Sequence, residues 1–203
     1  FSAISFGCCI MYAVRFYKNL FTDEGYITWT LPASPLTQFW AKILSASIWY
    51  VLDLTICFAA AWFLISGDNI QSALERIKPD FQAALGMSFS SFCGLVVFFS
   101  FVGILSCVLF IYTSIAIGQL VPAHRIIVSI AVYFILNLIT QIISIGVSII
   151  TSVFPDYVFS PAQTSFSEYF FQMLLIGTCT TTVLAIAGYF ITYRILQRKV
   201  NLI

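Results

Sequence analysis

The residues that could do chemistry in this chain are few, and they are scattered along apolar stretches. The one histidine, His124, lies beside Arg125 with no second histidine or acid nearby, which disfavours a metal site. Six cysteines fall inside apolar runs without a CxxC pair, and such thiols behave as small apolar residues. The motifs HExxH, GxSxG and GxxxxGK[ST] do not occur. The chain is therefore predicted to be no enzyme and to bind no metal or cofactor of its own.

Asp53 is the acid that lies deepest inside an apolar run. It follows Lys42 by eleven residues, which is roughly 16 Å along a helix. If that run crosses a bilayer, a charge near its centre costs about 2.5–3.5 kcal/mol. The carboxyl group is then protonated, paired or facing water. Two interpretations stay open: an acid in a translocation path, or a side chain that is hydrogen-bonded to a neighbouring helix.

A second group of polar residues recurs at helical spacing in a later apolar run. Intervals of four, three and four residues place them on one helix face. They are Asn137, Gln141, Ser144 and Ser148. Polar side chains in hydrocarbon seek partners, so this face is predicted to point into a helix bundle or toward a second subunit. Ordinary interhelical hydrogen bonds and the lining of a substrate path both fit this pattern.

Small residues form a comparable stripe near the end of the chain. Intervals of four, four and three residues again select one helix face. The stripe consists of Gly177, Thr181, Ala185 and Gly188. Small side chains let a second helix approach closely. The stripe therefore predicts tight helix packing, either within the subunit or at a dimer seam.

The composition places these patterns in a membrane protein. Apolar residues make up 61% of the 203 residues and charged residues 8%, whereas soluble domains carry about 25% charged residues. The mean hydropathy is +1.00. A net charge of +1 gives no support for a nucleic-acid partner. We predict an all-α, polytopic bundle of membrane helices in contact with the lipid bilayer.

Five apolar runs are predicted to span the membrane. A bilayer core about 30 Å thick requires about 20 apolar residues per helix. The first run is shorter and is expected to be the end of a segment that begins before Phe1, so the single domain 1–203 would be truncated at its amino terminus. The predicted spans cover residues 1–14, 43–66, 92–117, 126–153 and 167–193.

The positive charges predict the orientation of these spans. If the chain crosses the membrane five times, seven of its nine lysines and arginines lie in segments on the same side of the membrane. These seven are Arg15, Lys18, Lys42, Arg125, Arg194, Arg198 and Lys199. Only Arg76 and Lys78 fall on the other side, beside acidic residues. Because cytoplasmic connections are enriched in Lys and Arg, segment 15–42, turn 118–125 and the carboxyl terminus are predicted to be cytoplasmic.

Local signals predict how several helices begin and end. Apolar residues at helical spacing over Ile70–Ile77 indicate a short helix that Pro79 ends. Ser34 and Pro35 supply an N-cap and a first helical position for the next helix. Three serines within residues 88–91 indicate either a bend or an interfacial first turn.

Segment 15–42 is the longest stretch that is both charged and rich in aromatic residues. Phe16, Leu20 and Phe21 form a helical apolar face. Alternating residues follow over Tyr26–Leu31 before Pro32 closes the run. The segment is too ordered for a slack loop and too short for a domain. It predicts a short cytoplasmic helix on which a partner could dock.

Three stretches resemble bacterial ABC transporter permeases of the type-2 exporter superfamily. They are FYKNLFTDEGYITWTLPASPLTQFWAKILSA, IAIGQLVPAHRIIVSIAVYFILNLI and YFITYRILQRKVNLI. The resemblance implies a six-helix permease of which this chain holds helices two to six, with a coupling helix at about Phe16–Leu31. It also implies a dimer in the bacterial cytoplasmic membrane. Each half would dock to a separate ATPase subunit that holds ATP and Mg.

The resemblance also suggests where function would lie. The expected contacts with the ATPase are Phe16, Asn19, Leu20, Asp23, Glu24 and Tyr26. Asp53 and the polar face Asn137–Ser148 are candidates for the translocation path. An exporter of an amphiphilic peptide, antibiotic or lipid is the favoured function. A secondary transporter or channel driven by an ion gradient is the alternative, followed by a membrane sensor that transports nothing.

Overall fold

The computed structural model describes residues 2–22, 25, 30, 32, 34–153 and 166–198. These residues contain α-helices and no β-strand. The helices are α1 (Ser2–Phe21), α2 (Pro35–Ile65), α3 (Asp68–Leu85), α4 (Phe89–Gly118), α5 (Arg125–Ile150) and α6 (Phe166–Arg198). The predicted all-α architecture is confirmed for this part of the chain.

Helices α2, α4, α5 and α6 are long and apolar enough to cross a membrane. They contain 26 to 33 residues and so measure about 39–50 Å, longer than a bilayer core of about 30 Å. Many of their large apolar side chains are exposed, and α5 alone exposes a dozen or so. Soluble monomers rarely leave such apolar surface open to water. The chain is therefore a helical protein of the multi-pass membrane type.

Of the first predicted span, residues 1–14, the described residues 2–14 lie within α1. Helix α1 continues past it through Arg15 and Lys18, and α1 is not among the helices that reach the length and apolarity of a span. The structure thus supports four spans by length and composition among the residues it describes. The count of five stays a prediction.

Helix α2 begins earlier than the predicted span 43–66. The Oγ of Ser34 accepts a hydrogen bond from the backbone N–H of Thr37 at 3.2 Å. The backbone carbonyl of Ser34 accepts one from the backbone N–H of Gln38 at 3.1 Å. Pro35 occupies the first helical position, where a missing N–H costs nothing. The predicted N-cap is confirmed. Residues 35–42, predicted as part of the cytoplasmic segment, are consequently the first two turns of α2.

Helix α4 also has a serine cap. Ser88 Oγ accepts a hydrogen bond from the N–H of Ser91 at 3.3 Å, and the carbonyl of Ser88 accepts one from Phe92 at 3.1 Å. The serine cluster therefore forms the first turn of α4, directly after the break between α3 and α4 at residues 86–88. It starts α4 at Phe89, three residues before the predicted span.

The prediction that Pro79 ends the helix after α2 is wrong. Helix α3 runs through Pro79 to Leu85 and stops at Gly86, which has φ 66°. The N–H of Gly86 donates to the carbonyl of Gln82 at 2.9 Å, a C-terminal arrangement that favours glycine. Proline removes only its own donor. The carbonyl of Glu75 is left without that donor, and both Glu75 and Pro79 are exposed residues.

The helices contribute to two compact units. Unit 1 comprises Phe1–Asp53, Ile104–Ile139 and Val183–Ile203, and unit 2 comprises Leu54–Gly103 and Thr140–Thr182. Unit 2 contains α3 and an aromatic cluster in which Phe81 meets Phe92 edge-to-face at 5.2 Å between ring centroids. Offset and edge-to-face aromatic pairs contribute about 0.5–1.5 kcal/mol beyond their buried area.

The core of unit 1 is built from aromatic residues of α1, α2, α4 and α6. Phe16 of α1 stacks on Tyr112 of α4 with ring centroids 3.8 Å apart and planes at 10°. Phe39 of α2 lies 6.3 Å from Phe16 and 5.4 Å from Tyr189 of α6. The Tyr112 hydroxyl donates to the backbone carbonyl of Lys42 at 3.1 Å. These contacts connect α1 to α2 and α4, and they connect α2 in turn to α6.

Candidate functional site

Three of the six residues predicted to contact a partner lie on the described part of α1, and two of these three are buried. Phe16 and Leu20 are each 1% exposed and belong to the core of unit 1. The apolar face of an amphipathic helix packs on its own chain when neighbouring helices are available, which here removes both side chains from the surface. Asn19 is half-buried. Asp23, Glu24 and Tyr26 lie outside the described residues.

The exposed side of this part of α1 is cationic. Arg15 and Lys18 are both exposed, one turn apart on the helix. A partner that touches α1 in this structure would meet these two side chains and not the predicted apolar ones. The periodicity of the sequence correctly identified the apolar face of α1. It could not tell whether that face meets a partner or the chain itself.

Asp53 is half-buried on α2, in unit 1. It lies close enough to Cys9 and Tyr12 of α1 to interact with both electrostatically. Two polar side chains of a neighbouring helix are therefore near it. This placement fits the interpretation of Asp53 as a residue with interhelical partners, and it leaves a role in transport open.

A cluster of thiols and tyrosines lies beside Asp53. The hydroxyl of Tyr50 contacts the sulfur of Cys9 and lies 3.9 Å from the sulfur of Cys107. The ring of Tyr12 is 5.0 Å from that of Tyr50. Among the described residues no group of three or more potential ligands could hold a metal ion. The cluster can hydrogen-bond within an apolar setting, and it provides polar anchorage between α1, α2 and α4.

Sequence reasoning missed this cluster because its members are far apart in the chain. Cys9 and Cys107 were interpreted as small apolar residues, yet both meet the hydroxyl of Tyr50. Their separation of nearly a hundred residues carries no periodic signal. A hint was available in the tyrosines, since a hydroxyl inside an apolar run requires a partner.

Two side chains on the polar face of α5 donate hydrogen bonds to backbone carbonyls of the same helix. Asn137 Nδ2 donates to the carbonyl of Tyr133 at 2.8 Å, and Ser148 Oγ donates to that of Ile145 at 2.8 Å. Such local bonds remove the need for a partner on another helix. Ser144 is half-buried and Gln141 is exposed. Gln141 is thus the residue of this face that is best placed to meet water or a further subunit.

The two ends of the small-residue stripe of α6 have different surroundings. A Cβ at Gly188 would lie 2.6 Å from Thr113 Oγ1 of α4, whereas a Cβ at Gly177 would meet nothing within 4 Å. Ala185 is 1% exposed. Thr181 is half-buried and donates to the carbonyl of Gly177 at 2.6 Å. The Ala185–Gly188 end therefore packs within the chain, and the Gly177 end is open.

A buried hydroxyl pair reinforces the packed end of this stripe. Thr192 Oγ1 of α6 lies 3.1 Å from Thr113 Oγ1 of α4. Both residues are at most 1% exposed. The glycine at 188 lets the two helices come close enough for this hydrogen bond. An interhelical hydrogen bond of this kind contributes about 0.6 kcal/mol on average in a membrane.

Comparison of the chain with protein-family models, with curated proteins and with solved structures gave no match. The resemblance to ABC permeases therefore stays a prediction from the sequence, and the site residues are assigned from geometry alone.

Proposed function

We propose that this chain is the membrane-spanning permease subunit of an ATP-driven ABC transporter that exports an amphiphilic substrate. The observation that supports it best is the α1 helix, which continues beyond its apolar part and is held in the core by Phe16 and Leu20. In this proposal α1 is the first of five spans in the chain. The cationic end of α1 is the first part of the coupling helix that the resemblance implies at about Phe16–Leu31.

The proposed mechanism depends on how α1 packs against α2 and α4. Phe16 stacks on Tyr112 of α4 and lies beside Phe39 of α2. A force applied to the exposed end of α1 at Arg15 and Lys18 is therefore transmitted to α2 and α4 through close-packed rings. An ATPase subunit whose contacts differ between its nucleotide states would shift the equilibrium between two helix arrangements. The chain itself would catalyse nothing, and ATP and Mg would lie in the partner.

The proposal also includes an assembly and a location. Two permease subunits, identical or different, would each carry an ATPase in the bacterial cytoplasmic membrane, with the carboxyl terminus of each permease in the cytoplasm. The open Gly177 end of the α6 stripe offers a surface for the second subunit. Asp53 and exposed Gln141 are the candidates for contact with substrate.

Affinity purification of the full-length protein from its native membrane in mild detergent tests this function. We expect a Walker-motif ATPase to be recovered with the wild-type protein. Lys18→Glu should reduce its recovery severalfold, because the substitution reverses a charge on the exposed side of α1. Lys78→Glu is the matched control, since Lys78 is an exposed lysine of α3.

Two results would contradict the proposal. Repeated recovery of the protein without any ATPase would argue against an ABC permease. Equal recovery of the ATPase with Lys18→Glu and with the wild type would argue against α1 as the coupling element.

An ion-driven transporter or channel is the second candidate. It is favoured by the neighbourhood of Asp53, where an acid in a predicted span interacts with Cys9 and Tyr12. Ionisable groups within a membrane often mark ion pathways. Uptake into vesicles separates the two candidates. Transport that requires ATP and the ATPase supports the permease, whereas transport that collapses with an ionophore and is lost in Asp53→Asn supports the ion-driven alternative.

A further inference from the structure

Two thiols and a tyrosine hydroxyl meet between α1, α2 and α4 in unit 1. The hydroxyl of Tyr50 contacts the sulfur of Cys9 and lies 3.9 Å from the sulfur of Cys107. The side chains of Cys9 and Cys107 also interact with each other directly. Both cysteines are free, so no bond joins the two sulfurs. The fold thus places side by side two free thiols that are nearly a hundred residues apart in the chain.

A pair of neighbouring thiols has a chemistry that a single thiol lacks. Once one cysteine of such a pair is oxidised to a sulfenic acid, it reacts with the second thiol to form a disulfide. A disulfide requires sulfurs about 2.05 Å apart and Cβ atoms about 3.5–4.5 Å apart. Because the sulfurs of Cys9 and Cys107 already approach one hydroxyl oxygen, rotation of the two side chains has only the remaining gap to close.

Cys9 is the thiol of this pair that is better placed to react first. The form of cysteine that attacks an oxidant is the thiolate. The hydroxyl of Tyr50 can donate a hydrogen bond to such an anion, and hydrogen bonds to an ionised acceptor are stronger than those to a neutral one. This hydroxyl contacts Cys9, whereas Cys107 lies farther from it, at 3.9 Å. Cys107 is then the second thiol, which reacts with the oxidised Cys9.

The surroundings of the pair indicate the class of oxidant. Cys9 is half-buried, so part of it is open to a small reagent. Phe6 and Ile10, which flank it on α1, are apolar and exposed. Cys107 lies in α4, which is long and apolar enough to cross a membrane. A reagent dissolved in lipid therefore reaches the pair more readily than a polar one in water, and hydroperoxides of unsaturated lipids are oxidants of this kind.

We propose that Cys9 and Cys107 are an oxidation site, at which a lipid hydroperoxide converts the two thiols into a disulfide between α1 and α4. The Cys9 thiolate attacks the terminal peroxide oxygen, the O–O bond breaks, and a lipid alcohol leaves a sulfenic acid on Cys9. The Cys107 thiolate attacks the Cys9 sulfur, the S–O bond breaks, and the oxygen leaves as water. The thiol protons end on the alcohol and the water. Each sulfur loses one electron, and the peroxide gains both.

This reaction is independent of the transport function proposed above, because it requires only the contact between α1 and α4. Full-length protein in native membrane vesicles is treated with cumene hydroperoxide, which is apolar, or with hydrogen peroxide at the same concentration. Free thiols are then blocked, and the protein is digested without reductant for mass spectrometry. We expect cumene hydroperoxide to give two peptides joined through Cys9 and Cys107, lighter than their sum by two hydrogen atoms and separated by dithiothreitol. Hydrogen peroxide should give the joined peptides severalfold more slowly.

Serine variants test which cysteines take part. Cys9→Ser and Cys107→Ser should each abolish the joined peptides. Cys8→Ser is the matched control, because Cys8 is the half-buried thiol next to Cys9 on α1, and it should leave the yield unchanged. The mass spectrum of the wild-type protein identifies the joined residues by itself, so the test does not depend on the folding of any variant.

Tyr50→Phe tests the role of the hydroxyl. It keeps the ring, whose centroid lies 5.0 Å from that of Tyr12, and it removes the group that contacts Cys9. The disulfide should form severalfold more slowly than in the wild type. Tyr12→Phe is the matched control, because the side chain of Tyr12 hydrogen-bonds to Cys8, and it should leave the rate unchanged. An unchanged rate in Tyr50→Phe would overturn the role given to its hydroxyl.

Three results would overturn the proposal as a whole. Recovery of Cys9 and Cys107 as blocked free thiols after treatment would show that the pair does not react. Oxidation of Cys9 to a sulfinic or sulfonic acid without joined peptides would show that Cys107 does not reach it. A disulfide between Cys9 and another cysteine would contradict the pairing, and equal rates with the two peroxides would contradict an oxidant that arrives through lipid.

Discussion

At the scale of single residues, close approach between helices depends on two glycines. A Cβ at Gly118 of α4 would clash with the side chain of Ser129 and would lie 2.8 Å from the carbonyl of Arg125. At Gly188 of α6 a Cβ would meet the side chain of Thr113. The clash at Gly118 includes backbone atoms of α5, which cannot rotate away. We therefore regard Gly118 as the less tolerant of the two positions.

Gly118→Ala should destabilise the protein by about 1–3 kcal/mol, since α4 and α5 must separate to admit the methyl group. Gly103→Ala is the matched control on the same helix, because its Cβ would meet nothing within 4 Å. Alanine favours a helix over glycine by up to about 1 kcal/mol, so the control should be neutral or more stable. Thermal unfolding in detergent measures both. Equal stability of the two variants would contradict the close approach of α4 and α5.

At the scale of helices, the boundaries are set by local hydrogen bonds as well as by hydropathy. Ser34 and Ser88 accept the first free N–H groups of α2 and α4. The two apolar helices therefore begin before their predicted spans, α2 by eight residues and α4 by three. Helix α3 shows the reverse case, because Pro79 interrupts its hydrogen bonding without ending it.

Ser88→Ala should lower stability by about 1 kcal/mol, because the N–H of Ser91 loses its acceptor. Ser90→Ala is the control, since Ser90 Oγ bonds to the hydroxyl of Ser88 at 3.1 Å and caps no backbone N–H of this turn. Hydrogen exchange at the amides of residues 89–92 measures the stability of the first turn of α4, where the cap acts. Faster exchange in Ser90→Ala than in Ser88→Ala would contradict the assignment of the cap.

Pro79→Ala should stabilise α3 by roughly 1–3 kcal/mol, because alanine restores a backbone donor in a helix interior. Protection of the α3 amides from hydrogen exchange should increase. Reduced protection would show that the proline is accommodated by a distortion on which the packing of Phe81 depends.

At the scale of the whole molecule, the positive charges are divided between the two units. Unit 1 contains Arg15, Lys18, Lys42, Arg125 and Arg194, and unit 2 contains Arg76 and Lys78. The side of the membrane on which each group lies stays a prediction from the sequence. The orientation itself depends on the rule that cytoplasmic connections are enriched in Lys and Arg.

Labelling of introduced cysteines with an impermeant maleimide tests the orientation. The variants Lys18→Cys, Lys78→Cys and Arg194→Cys would be made in a protein whose native cysteines are replaced by serine. We expect intact cells to label only Lys78→Cys, and inside-out vesicles to label the other two. Labelling of Lys18→Cys and Lys78→Cys from the same side would contradict the predicted topology.

The class of the molecule and much of its local structure were predictable from the order of the amino acids. Composition and the length of the apolar runs predicted a helical membrane protein, because a bilayer selects for helices of about 20 apolar residues. The cap at Ser34 was predictable as well, since a cap involves residues only three positions apart. Such properties depend on residues that are close together in the sequence, so they can be predicted without the fold.

Which helix faces contact each other became known only from the packing of the folded chain. Periodicity grouped Phe16 with Leu20 and Gly177 with Gly188, but it could not show that the first pair is buried or that the second pair divides into an open and a packed end. It gave no sign that Cys9 and Cys107 meet at the hydroxyl of Tyr50. A helical pattern defines a face and not the neighbour of that face. The neighbour depends on how segments far apart in the chain pack, which is where the candidate sites of this protein arise.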